Sequence, residues 1–99
     1  MPIWVTETGA GNQRAGKERD VSATALKEQC GRYHRALRAW AQNPRIETAV
    51  QYTVREDPDY RVGLVDSKLD EGYPTFDLLQ AWGNRKPREL PKLPASCRS

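Results

Sequence analysis

The chain has 99 residues, 37% of them apolar and 29% charged, with 16 basic and 13 acidic side chains and a net charge of +3. That suits one small soluble domain or part of a larger one, burying about 60–65% of its unfolded surface. A complete eight-stranded α/β barrel needs roughly 250 residues and does not fit. No apolar run approaches the ~20 residues of a membrane span, and the N-terminus lacks the basic start and apolar core of a signal peptide. Residues 83–99 carry five basic residues and one acid, so the positive charge sits mostly at the C-terminal end. No aromatic residue interleaves with these charges, and the expected role is solubility rather than nucleic-acid binding.

In chain order, residues 2–7 (Pro-Ile-Trp-Val-Thr-Glu) read as a short strand that Gly9 ends. Ile3, Val5 and Glu7 share one face by the two-residue period, so a carboxylate closes an otherwise apolar row. Trp4 points the other way and is expected to pack against a helix layer. Residues 8–20 form a polar loop. Its Gly9-Ala10-Gly11 imitates the start of a dinucleotide fingerprint, but Arg14 replaces the third glycine and the helix begins late. Ser22 suits a helix N-cap, and Leu26, Cys30, Tyr33, Leu37 and Trp40 recur at helical spacing until Asn43-Pro44. Lys27, Arg32, Arg35 and Arg38 fall on the outer face. His34 is expected on the helix surface.

Residues 46–54 read as a second strand, five of the nine being β-branched. A polar loop, Arg55 to Tyr60, and an apolar patch, Val62 to Val65, follow. Pro74 opens a second helix, with Phe76, Leu79 and Trp82 on its buried side and Gly83 just past its end. Residues 84–99, with Pro87, Pro91 and Pro94, read as a disordered basic Pro-rich tail. It contains an Arg-x-x-Pro-x-x-Pro pattern, a common chance match to polyproline ligands. Two cysteines are too few for a disulfide framework. Cys30 is expected as a packed free thiol and Cys97 in the loose tail, with no metal-ligand spacing between them.

Strand, helix, strand, helix is the alternation of a parallel-sheet α/β protein. Two such strands cannot cover both their faces alone, which points to a missing sheet. Active sites of parallel α/β folds gather at the carboxyl ends of strands. Glu7 ends the first strand, and Tyr52 to Asp57 end the second.

Here the chain resembles a known family. Trp4-Val5-Thr6-Glu7-Thr8-Gly9 resembles the strand-seven motif of clan A glycoside hydrolases. Gln29 and Tyr33-His34-Arg35-Ala36-Leu37 resemble the helix that follows. Ile46 to Asp57 is similar to strand eight with its Tyr-Thr-x-Arg-x-Asp ending. Val62-Gly63-Leu64-Val65-Asp66, then Tyr73-Pro74 and Trp82, resemble the closing segments. The likeness covers residues 2–83 and rests on the order and spacing of these pieces.

The resemblance implies a partial (β/α)8 barrel: two βα units in residues 1–83 and a tail in 84–99. It implies that Glu7 is the nucleophile of a retaining glycosidase, working with a second carboxyl about 5–5.5 Å away. In the clan that acid ends strand four, which this sequence lacks, so the chain alone is expected to be inactive. Tyr52 matches an aromatic sugar platform, and Arg55, Glu56 and Asp57 are candidates to bond sugar hydroxyls. No metal or cofactor is implied. The expected partner is a carbohydrate substrate of the intact parent, not nucleic acid or membrane. Open sheet edges are expected to favour self-association. Such hydrolases are often secreted, and the chain's own compartment stays open. The alternative is a non-enzymatic α/β interaction module that binds through residues 84–99.

Overall fold

The structure is a computed structural model and describes residues 2–11, 19–55, 57, 62–86 and 88–98. Among them run β1 (Ile3–Thr8), α1 (Ala23–Ala41), β2 (Ile46–Gln51), α2 (Pro74–Gly83) and a 3-10 turn (Ala95–Cys97). β1 and β2 form a two-stranded parallel sheet, pairing Ile3 with Ile46, Val5 with Ala49 and Thr8 with Gln51. The chain is thus a small α/β domain with its first helix connecting two parallel strands.

Local chemistry sets these boundaries. The Ser22 hydroxyl accepts from the Ala25 amide at 3.2 Å, satisfying a donor that the first helical turn leaves open. Asp20 accepts from the Ser22 amide at 2.9 Å, and its bonds to Ser22 hold its carboxyl below the usual carboxylate range. At the other end the Gln42 amide closes on the Arg38 carbonyl at 3.0 Å. Asn43 then accepts from the Arg45 amide at 3.0 Å, turning the chain into β2. Pro44 stands between them, where a helix could not continue.

β2 is shorter than its β-branched run suggests. Gln51 Nε2 donates to the carbonyls of Thr53 and Val62, at 3.1 and 2.8 Å, and bends the backbone out of the sheet. The Tyr52–Thr53 peptide is cis. Val54 then accepts from the Leu64 and Val65 amides at 2.9 and 2.8 Å, so the apolar patch at 62–65 runs beside residues 53–55.

The core lies between the helices and the C-terminal segment. Cys30, Tyr33, Leu37, Leu78, Trp82 and Cys97 form it, with Ala10, Trp40, Leu79, Leu90 and Leu93 packed around. α2 buries Thr75, Leu78 and Trp82. The face expected from Phe76 and Leu79 is therefore rotated, and both keep partial exposure. The C-terminal segment shares this face: Cys97 joins Leu78 and Trp82 in the core, and its sulfur lies 3.4 Å from the Pro74 carbonyl. His34 is also corrected: it is buried, and its Nδ1 accepts from the Trp82 indole at 3.4 Å. Burial, then the positive charges of Arg38 and Arg35, hold the imidazole below its usual value of 6.5.

Residues 84–99 were expected as a disordered tail, but the described part returns to the helices. Pro91 is buried, and Cys97 bonds to Cys30 across 67 positions of sequence. Both cysteines are thus half-cystines, not a packed thiol and a loose one. Ser96 donates to Asp77 on α2 at 2.6 Å. The prolines exclude helix and ladder pairing without excluding order, because leucine anchors and one covalent link fix the path. Within the polyproline pattern Pro91 is buried, while Arg88, Glu89 and Lys92 stay exposed.

Candidate functional site

Glu7 is exposed at the carboxyl end of β1. The register carries β2 to the same level: Thr8 pairs with Gln51, and the Tyr52 amide donates to the Thr8 carbonyl at 2.7 Å. Parallel pairing therefore brings Glu7 and Tyr52 to one end of the sheet. The Tyr52 hydroxyl donates to Asp57 Oδ2 at 3.0 Å, so these two expected sugar-binding residues form a phenol–carboxylate pair. Arg55 is exposed and turned to the neighbouring loop, its Nε donating to the Ser67 carbonyl at 2.9 Å. Glu56 lies outside the described residues, as does Arg14 of the glycine-rich stretch.

Three features stiffen this end of the sheet. A β carbon on Gly9 would lie 2.8 Å from Val62 Cβ and 2.9 Å from the Tyr52 carbonyl, so the strand exits touch backbone to backbone. Below it, burial raises the Tyr33 hydroxyl to about 12, against the opposing effect of a bond with the Thr8 side chain. Beside it, Arg19 is 6% exposed. Arg19 donates to Gln29 Oε1, the Gly63 carbonyl and the Ala10 carbonyl at 2.8, 2.8 and 2.9 Å. Its guanidinium lies 4.1 Å over the Tyr73 ring. One cation thus ties together the loops that follow both strands. Nothing local marks Arg19, a charged residue in a polar loop whose partners include the Gln29 amide, two carbonyls and the Tyr73 ring, the nearest of them nine positions away.

Trp4 departs from expectation. It is 64% exposed, and its indole donates to Glu47 Oε2 at 3.0 Å instead of packing on the helices. Ile3, Val50 and Val54 are exposed as well. Among the described residues no group of His, Cys, Asp and Glu is arranged to hold a metal ion, and no helix is long and apolar enough to cross a membrane. A cleft of about 800 Å3 lies along α1 and another of about 240 Å3 under β2. Neither is lined by Glu7, Tyr52, Arg55 or Asp57. No protein-family model matches the chain, and neither a curated protein nor a solved structure does.

Chemically, the strand end offers an accessible carboxylate on β1 and, at the same end of the sheet, an aromatic hydroxyl bonded to a second carboxylate. A carboxylate so placed suits nucleophilic attack on an electrophilic carbon, provided a matching acid stands opposite.

Proposed function

We propose that this chain is the C-terminal quarter of a retaining glycoside hydrolase barrel, carrying the nucleophile Glu7 and inactive without the remaining strands. The observation that supports the reading is the parallel register, in which β1 and β2 end at the same level, with Glu7 at the end of one and Tyr52 just past the end of the other. The resemblance of residues 2–83 to strands seven and eight of clan A barrels supports it. So does the exposure of Ile3 and Val50, side chains that further strands would cover.

In the completed barrel the Glu7 carboxylate attacks the anomeric carbon of a β-linked glycoside. The acid from the missing strand protonates the departing oxygen, leaving a glycosyl-enzyme. That same residue, now a base, deprotonates the water that releases the sugar with net retention. Tyr52 provides the aromatic platform, oriented by its bond to Asp57. Arg55, Glu56 and Asp57 bond sugar hydroxyls.

The test uses an aryl β-glycoside with the chain alone and with the polypeptide encoded when its reading frame is extended upstream. The chain alone is expected to release no phenol, while the extended protein turns over. In that protein Glu7→Gly is expected to abolish turnover, with azide restoring it by filling the vacated space and attacking the anomeric carbon. Turnover by the 99-residue chain, or full activity in Glu7→Gly, contradicts the proposal.

A further inference from the structure

We propose that the cleft between α1 and the disulfide-tethered C-terminal segment is a docking site for an acidic peptide segment of a partner protein. The site is separate from the strand-end carboxylate and does not rest on the barrel reading. Its volume is about 800 Å3, and it runs along α1 from Ala23 to Arg35. At 1.5 Å of rise per residue that is about 18 Å, the length of roughly five extended residues.

Charge selects the partner. Lys27, Arg32 and Arg35 line the helical side, and Arg98 lines the opposite wall. Glu28 is the one acid among these lining residues. Arg32 spends one donor on the Gly11 carbonyl at 3.2 Å and keeps the rest of its fork. Guanidinium forks bind carboxylates well, often in pairs of parallel bonds.

Shape narrows the choice further. Gly31 lies in the floor, in the middle of a helix where glycine is a poor helix former. A β carbon there would sit 3.6 Å from Arg35 Nη1, so the missing side chain leaves room beneath that guanidinium. Leu93 and the half-cystine Cys97 make part of the far wall apolar. No lining residue is aromatic, although single-stranded nucleic acids are held largely by stacking on aromatic faces. Glu28 also repels a polymer charged at every repeat, while it accepts from a peptide amide. The fitting occupant is an extended peptide with spaced carboxylates and one apolar side chain against Leu93. The Cys30–Cys97 bond holds that wall in place, so docking requires the oxidised chain.

The experiment is fluorescence anisotropy of the oxidised full chain with a labelled peptide whose glutamates alternate with serines around one leucine. Binding is expected to weaken as salt is added. It is expected to fall roughly tenfold or more in Arg32→Glu/Arg35→Glu and again in Gly31→Leu. Gly31→Leu keeps every charge and improves helix propensity, and a β carbon there meets Arg35 Nη1 only at an ordinary 3.6 Å, so the leucine narrows the cleft without a backbone clash. Reduction is expected to weaken binding too. Unchanged affinity in Gly31→Leu overturns the proposal, since charge alone would then hold the peptide. An oligonucleotide or sulfated oligosaccharide of equal charge that binds more tightly overturns it as well, as does no peptide binding at about 1 mM.

Discussion

Between α1, α2 and the C-terminal segment, Leu78 and Cys30 lose all exposure to solvent and Trp82 keeps 4%. In the sheet, Val50 keeps 47% and Trp4 keeps 64%. The same chain thus completes one side of the βα layer pair and leaves the other uncovered. Apolar burial contributes about 25 cal/mol per Å2, so stability is concentrated in the helix layer. The strands stay in register through backbone pairing and the knot at their carboxyl ends. A sheet of this kind is held by its neighbours more than by itself.

The contrast can be broken from its strong side first. Replacing both cysteines with serine removes a link closing a 67-residue separation. Loop-closure entropy puts the loss at about 4 kcal/mol, read as a lower urea midpoint that reduction of the wild type reproduces. Leu78→Ala opens a cavity at a fully buried position and is expected to cost about 3 kcal/mol in the same assay. Gly9→Ala forces a methyl group against Val62 and the Tyr52 carbonyl, and is expected to cost about 1–3 kcal/mol. That loss marks the strand-end junction as tightly packed.

A pH titration sharpens the comparison within the helix layer. Folding lowers the His34 pKa, so the unfolded chain takes up that proton first. Stability is therefore full above pH 6.5 and declines as pH falls through the folded pKa. His34→Gln is expected to flatten the slope of the urea midpoint in that window. A wild-type slope of opposite sign contradicts the buried, Trp82-bonded imidazole. The smallest effect belongs to the bare face. Val50→Thr is expected to shift stability by less than about 0.5 kcal/mol, and a cost comparable to Leu78→Ala would mean that something covers the sheet.

Much of this architecture is legible in the residues. Ser22 before a helical stripe and Pro74 before another fix both helix starts, because capping is local chemistry. Two β-branched runs separated by a helix give the parallel pair. Glu7 and Tyr52 come to one end of the sheet because parallel register aligns strand ends, which the strand order implies. The C-terminal segment is different in kind. Proline content speaks to local conformation, whereas the bond from Cys97 to Cys30 depends on geometry across the whole chain. α2 buries Thr75, Leu78 and Trp82, a face that differs from the one periodicity alone selects. His34 is buried for a related reason, since Trp82 offers an indole donor 48 positions away. Arg19 carries no local signal, because partners such as the Gln29 amide, the Gly63 carbonyl and the Tyr73 ring lie far along the chain.

In the proposed barrel, further strands cover the exposed sheet and Glu7 is the nucleophile. The most direct test is the coding sequence read in frame upstream of the first codon. An open frame encoding six further βα units, with an Asn-Glu pair ending the fourth strand, is expected. A stop codon immediately upstream contradicts the proposal, and leaves a 99-residue module whose open strands are not part of a barrel.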